Sequence, residues 1–305
     1  MKLIHPLHGL VVAAHSPFHE DGTPNLAAVD KQAAHFLKSN VGTIFICGTT
    51  WECHSLSLEE RRTLAERWLE VARGTALKIV VHVGSNCLAD ARALAAQAQS
   101  LGAVAISALA PIYFKPRSLN ALIACCADIA GAAPETPFYF YDIPALTGVS
   151  FPMAEFLARA PEQIPTLAGL KFTNPDLMAY QFCLRADDGR WDVPFGVDEH
   201  FLGALAMGAK GAVGSGFNFA APIYHRLLKA FSAGDLAAAR EAQFRGARLV
   251  RLLAGYGYLP AAKVLMGLLG VPVGPARLPE TILTAGQQED LGCKLEGMGF
   301  FQWVR

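Results

Sequence analysis

A lysine set in an apolar run is the residue of this chain best suited to chemistry. In Leu167-Ala168-Gly169-Leu170-Lys171-Phe172 nothing nearby in sequence calls for a cation. Lys171 either snorkels to solvent or is withdrawn from water. In the second case its pKa falls, and the neutral amine can attack a ketone to form a Schiff base. Tyr141 ends Phe138-Tyr139-Phe140-Tyr141, the apolar run that precedes the lysine's. A phenol beside an imine-forming lysine can shuttle protons, although alone it is equally a core aromatic. Gly48-Thr49-Thr50 offers backbone N–H groups and two hydroxyls, which suit a carboxylate cradle or an ordinary turn. Asp198-Glu199 can accept hydrogen bonds from sugar hydroxyls, but acidic residues also favour the first turn of any helix. Gly214-Ser215-Gly216 has the character of a barrel phosphate turn without a full phosphate-binding signature.

Metal chemistry has little to stand on. His15 and His19 are four apart, but Pro17 breaks the helical geometry that would bring them together. Cys53-His54 has no second pair at ligand spacing, and neither G-x-G-x-x-G nor a Walker motif occurs. No metal and no organic cofactor is expected.

These residues need a frame, and the sequence supplies a repeating one. Strand-like runs fall at 9–18, 43–50, 77–84, 103–111, 137–143, 167–172, 193–197 and 211–216. Several are continuously apolar, as in strands covered on both faces. Helical patterns follow at 26–39, 58–73, 88–101, 119–132, 153–160, 177–186, 199–207 and 222–233. Asn25 is a good N-cap, and Ser57-Leu58-Glu59-Glu60 is a capping box. Eight strand-then-helix units predict a (β/α)₈ TIM barrel, whose chemistry sits at the C-terminal strand ends. Two more helical stretches, 236–255 and 260–269, form a C-terminal extension from about residue 234, and the tail from Pro272 shows no clear periodicity. With no linker or shift in composition, residues 1–305 are expected to form one domain.

The 305 residues are 52% hydrophobic and 17% charged, which allows a large core and argues against disorder. Lys+Arg and Asp+Glu balance at 26 each, so no global field draws the chain to nucleic acid or to an anionic membrane. Seven cysteines without paired spacing argue for a reducing compartment. The N-terminus shows no apolar leader, and no run of about 18 apolar residues occurs. A cytoplasmic location is expected.

Three segments then stand out together: Gly48-Thr49-Thr50, Tyr141-Asp142-Ile143-Pro144-Ala145-Leu146-Thr147-Gly148 and Gly169-Leu170-Lys171-Phe172-Thr173. Their order and spacing resemble the N-acetylneuraminate lyase/dihydrodipicolinate synthase family of class I aldolases, over about residues 9–279. The likeness is closer to the lyases. Leu146 stands where the synthases usually carry an arginine for a second carboxylate. Gly196-Val197-Asp198-Glu199, Gly211-Ala212-Val213-Gly214-Ser215 and the stretch 269–279 also resemble lyase segments.

The resemblance implies Lys171 as Schiff-base lysine and Tyr141 as proton-transfer phenol. It implies Thr49 and Thr50 on the substrate carboxylate, and Thr173, Asp198, Glu199 and Ser215 on hydroxyls farther along. Tyr113 matches a tyrosine inserted into a neighbouring subunit's site, and the family's usual assembly implies a homotetramer. The expected activity is cleavage of a 2-oxo-3-deoxy sugar acid, best matched by N-acetylneuraminate giving pyruvate and N-acetylmannosamine. A dehydratase or hydratase-aldolase on another 2-oxo acid, and a silent ligand-binding barrel, are the alternatives. One departure stands out. The family usually reads Gly-Thr-Thr-Gly-Glu, whereas this chain has Trp51 at the second glycine. A bulky indole there is expected to fill space, restrict the turn or touch the ligand, and to give the loop a different conformation.

Overall fold

The computed structural model describes residues 5–305. Seven parallel strands run β1 (Gly9–Ala13), β2 (Thr43–Ile46), β3 (Lys78–His82), β4 (Ala105–Ala108), β5 (Phe138–Asp142), β6 (Leu167–Phe172) and β7 (Gly211–Gly214). Their order is β6-β5-β4-β3-β2-β1-β7. The stave expected at 193–197 is not a regular strand. Single parallel bridges, Gly169↔Asp192, Phe172↔Phe195 and Phe195↔Ala212, join it to β6 and β7. Pro194 explains the irregularity, because it has no N–H to give to the ladder. The backbone still bridges the gap. Phe172 N donates to Pro194 O at 3.0 Å, and Phe195 N donates to Gly211 O at 3.0 Å. The architecture is a TIM barrel of seven regular staves and one irregular stave, with added C-terminal helices.

Alternation along the strands sorts their side chains into two cores. Val11, Phe45, Val80, Tyr139, Tyr141 and Val213 point into the barrel. Val12, Ile44, Ile46, Ile79, Val81, Phe138 and Phe140 face the surrounding helices. β6 reaches its final register through a bulge. Phe138 pairs with Leu167, but Tyr139 pairs with Gly169. The extra residue turns Leu170 and Phe172 outward and places Lys171 opposite Tyr141. Gly169 is needed for this close approach, since a Cβ there would lie 1.7 Å from Asp192 O.

The helices obey their local signals. Asn25 accepts from Ala28 N at the start of Leu26–Lys38, and Ser57 and Glu60 cap Leu58–Ala72 reciprocally. The last barrel helix, Phe217–Ser232, starts earlier than residue 222, with a kink at Ala220 that accommodates Pro222. Leu236–Ala254 and Tyr258–Leu268 form the expected extension. The tail holds structure that was not expected, the helices Ala285–Gly297 and Phe300–Trp303. Its start signal is a capping box, Thr284 with Gln287, and Leu291, Leu295 and Phe300 bury its apolar face. Among the described residues, no helix is long and apolar enough to cross a membrane.

Candidate active site

The C-terminal strand ends open onto a cavity of about 330 Å³. Six of the residues singled out in the sequence line it: Thr49, Thr50, Tyr141, Lys171, Thr173 and Ser215. Lys171 is 3% exposed. Its Nζ sits 3.9 Å from the centre of the Tyr141 ring and 4.1 Å from that of Phe45. Among the described residues it makes no ion pair. Burial lowers its pKa to about 7, against the opposing pull of Asp198 and Cys53. A large share of the molecules therefore carries a free amine near neutral pH.

Tyr141 OH lies 3.3 Å from Thr49 Oγ1, so two hydroxyls in hydrogen-bond contact stand near the amine. Burial pushes the phenol up to about 12, while the nearby hydroxyls of Thr49 and Thr173 ease its ionisation. Thr49 and Thr50 lie in the short helical turn Thr49–Trp51 that follows β2. Gly48 allows that turn, because a Cβ there would come within 2.7 Å of the Phe45 ring. Among the described residues the Thr173 hydroxyl makes no hydrogen bond of good geometry, although it lies near the Tyr141 phenol and its backbone N donates to Asp142 O at 2.8 Å. Gly196 leaves that hydroxyl room, since a Cβ there would sit 1.9 Å from Thr173 Oγ1.

Asp198 lies behind the cavity wall rather than in it. It is buried under Gly214 and Gly216, and its Oδ2 accepts from Gly216 N at 2.5 Å. Burial and the neighbouring Glu199 raise its pKa to about 7, opposed by the Gly216 amide and Lys171. Glu199 is half-buried beside it and is not among the lining residues. Tyr113 is 80% exposed on the loop after β4 and is not among the lining residues.

Of the roles open to Trp51, the structure takes the first, filling space. Trp51 is fully buried in the core between strands and helices and does not line the cavity. Its own backbone is not left-handed. The left-handed residues here are Cys47 (φ 59°) and Glu52 (φ 56°), on either side of the threonine turn. The side chain fills space in that core and not in the cavity.

Seven lining residues are not among the sequence candidates: Ala13, Ile143, Gly196 and Val213, on the staves or just past them, and Tyr258, Leu259 and Glu280, from the C-terminal part of the chain. Tyr258 opens the extension helix, and its OH lies 2.8 Å from Ser215 Oγ. The only local sign is the Gly255-Tyr256-Gly257-Tyr258 turn before that helix. A larger groove of about 480 Å³, between the extension helix and the tail, holds none of the candidate residues. No group of three or more metal-ligating side chains occurs among the described residues.

The barrel and its buried lysine define a lysine-bearing (β/α)₈ enzyme site. Residues 6–297 match the model of the dihydrodipicolinate synthetase family, and the chain belongs to that family. The N-acetylneuraminate lyase of Xenopus tropicalis is 42% identical over 90% of each chain. That of Mus musculus is 38% identical over 96% of this chain and 93% of its own. The solved N-acetylneuraminate lyase of Proteus mirabilis superposes with a TM-score of 0.93 at 38% identity, covering 96% of this chain and 99% of its own. The sialic acid aldolase of Aliivibrio salmonicida gives a TM-score of 0.93 at 42% identity, over 96% and 97%.

Proposed function

We propose that the protein is a class I aldolase, a carbon–carbon lyase that cleaves N-acetylneuraminate to pyruvate and N-acetylmannosamine. One observation carries the reading: Lys171 is desolvated, held at a pKa of about 7, and paired in register with Tyr141 at the cavity floor. The likeness to N-acetylneuraminate lyases supplies the substrate.

The free amine of Lys171 attacks the C2 ketone, and loss of water leaves an iminium ion. Thr49 and Thr50 hold the substrate carboxylate through hydroxyls and backbone N–H groups. The C4 hydroxyl proton leaves through Tyr141, which is protonated at neutral pH and so acts as a relay. The substrate carboxylate receives that proton. The C3–C4 electron pair flows into the iminium, the aldehyde departs, and the enamine is protonated at C3. Hydrolysis then frees pyruvate and the amine. Thr173, Ser215, Asp198 and Glu199 serve the hydroxyls farther along the substrate, Asp198 by shaping the Gly214–Gly216 turn. Leu146, exposed at the short helix Pro144–Thr147, offers no charge for a second carboxylate.

The chemistry requires no metal or organic cofactor. We further propose a single-domain, cytoplasmic enzyme working as a homotetramer, in which Tyr113 enters a neighbouring subunit's site. The exposure of the Tyr113–Phe114 pair, packed edge to face at 5.0 Å, supports that assembly.

Borohydride reduction in the presence of pyruvate, followed by peptide mapping, is expected to place a stable adduct on Lys171. Release of pyruvate from N-acetylneuraminate completes the assignment. An adduct without that release, with turnover of another 2-oxo acid, would transfer the site to a dehydratase or hydratase-aldolase. Without any adduct the barrel is a silent ligand binder.

A further inference from the structure

Three strand ends meet on one imidazole that the mechanism does not use. His82 closes β3 and is fully buried. Its Nδ1 lies 2.9 Å from the carbonyl oxygen of Cys47, just past β2. Its Nε2 lies 3.2 Å from the backbone N of Leu109, just past β4. A carbonyl can only accept and an amide can only donate, so Nδ1 carries the proton and Nε2 the lone pair. A second proton would set Nε2–H against the Leu109 N–H. The surroundings also oppose a charged ring. Arg61, from Leu58–Ala72, donates to the carbonyl oxygens of His82 and Gly84, both at 2.9 Å. Burial foremost, then Arg61, with His54 on its turn and Lys171 on β6, hold the imidazole well below its ordinary value. Only the bond to the Cys47 carbonyl pulls the other way.

The groups held by the ring give it a role. Cys47 occupies the left-handed region at φ 59°, which strains a residue with a Cβ. It stands directly before Gly48-Thr49-Thr50, so its peptide sets the direction of the threonine turn. The ring also stands edge-on to Tyr141, with centroids 5.8 Å apart at 87°. There is no slack around it. A Cβ on Gly84 would come within 2.9 Å of the ring and 3.0 Å of Leu109 N.

We propose that His82 is a positioning residue, a neutral clamp whose Nδ1–H holds the strained Cys47 carbonyl and whose edge orients Tyr141. The turn that presents Thr49 and Thr50 to the carboxylate is thereby fixed before substrate arrives. What the turn binds rests on the proposed imine chemistry. The tautomer and the strained peptide do not.

The test uses the full-length protein as wild type, His82→Gln and His82→Leu. Glutamine carries a donor and an acceptor at a spacing like that of the two ring nitrogens, whereas leucine fills space with neither. In ¹⁵N spectra of histidine-labelled wild type, His82 is expected to show a neutral, Nδ1-protonated ring from pH 6 to 8. Titration in that range, or a proton on Nε2, overturns the clamp. In borohydride trapping, His82→Leu is expected to need about tenfold more pyruvate for half-maximal adduct, because two buried backbone groups lose their partners. Its maximal rate should change far less, and His82→Gln should restore most of the affinity. Two outcomes overturn the role: His82→Gln folded but as impaired as His82→Leu, or His82→Leu binding pyruvate like wild type. If His82→Leu does not fold, His82→Gln decides alone, since retained affinity supports the clamp and lost affinity overturns it. Absence of any adduct in wild type sinks the imine reading instead, and the ¹⁵N spectra then decide on His82.

Discussion

Lys171 and Lys263 are both 3% exposed, yet their surroundings treat the charge in opposite ways. Lys263, on the extension helix Tyr258–Leu268, meets Glu52 at 2.6 Å and donates to Pro275 O at 2.8 Å. Ser16 Oγ and Arg277 N donate to the remaining positions of the Glu52 carboxylate. Burial still lowers the Lys263 pKa, but Glu52 holds it at about 8, so the ammonium persists at neutral pH. Lys171 faces two aromatic rings and no contacting carboxylate, and it falls to about 7. Burial lowers any lysine, and the partner decides whether the cation survives. One lysine fastens the turn after β2 to the C-terminal helices. The other is left unpaired, which is what a nucleophilic amine requires.

The contrast predicts opposite responses to the same substitution. Lys171→Met has the largest expected effect on activity, a loss of about 10⁴-fold or more, because no imine can form. Its effect on the fold is a gain. Below about pH 7 the amine is charged in both states, and the folded state bears the full desolvation cost. Between about 7 and the ordinary lysine value of 10.5 the unfolded chain binds more protons, so wild-type stability rises with pH across that window. Lys171→Met removes the cost. It should melt above wild type at pH 7, by roughly 2–4 kcal/mol of stability, with the margin shrinking toward pH 10. A variant that melts at or below wild type would mean that the amine is not desolvated.

Lys263→Met should do the reverse. It strands the Glu52 carboxylate in the interior, at a cost of about 3–5 kcal/mol in urea unfolding, whereas Lys263→Met with Glu52→Gln recovers part of the loss. Because Lys263 never touches the cavity floor, pyruvate should still be trapped on Lys171 in whatever fraction stays folded. If both single variants moved stability in the same direction, the distinction between a paired and an unpaired buried lysine would fail.

The same pair shows how far the sequence reaches. Lys171 and Lys263 give the same local signal, one cation in an apolar segment. What separates them is Glu52, which only the fold brings to Lys263. The barrel plan was legible because strand-like and helix-like runs repeat along the chain, and the repeat placed Tyr141 and Lys171 on neighbouring staves. The bulge at Gly169 that turns Lys171 inward leaves no mark in hydrophobic periodicity. Pro194 did mark an irregular stave, but the apolar residues around it read as an ordinary strand. For Trp51 the sequence leaves filling space, restricting the turn and touching the ligand all open, because the family glycine lies beside that turn. The fold decides among them by burying the indole in the core, off the cavity, which the local sequence does not reveal. The tail helix Ala285–Gly297 was overlooked although its Thr284–Gln287 capping box stands in the sequence, because few apolar residues follow it.

Tyr258 offers the finest test of where the chemistry stops and substrate selection begins. It reaches the cavity from outside the barrel repeat, and its OH shares a hydrogen bond with Ser215, which also lines the cavity. Tyr258→Phe keeps the ring and deletes only the hydroxyl. Ser215 is half-buried, so water can replace the lost partner and the cost stays small. The expected result is a rise in KM for N-acetylneuraminate of about fivefold or less, the scale of one partly compensated hydrogen bond. Pyruvate trapping on Lys171 should not change, because pyruvate has no hydroxyls to reach Ser215. Equal losses with both ligands would place Tyr258 in support of the reactive amine. A loss confined to the sugar acid would assign the extension helix to recognition and leave the imine chemistry to the barrel strands.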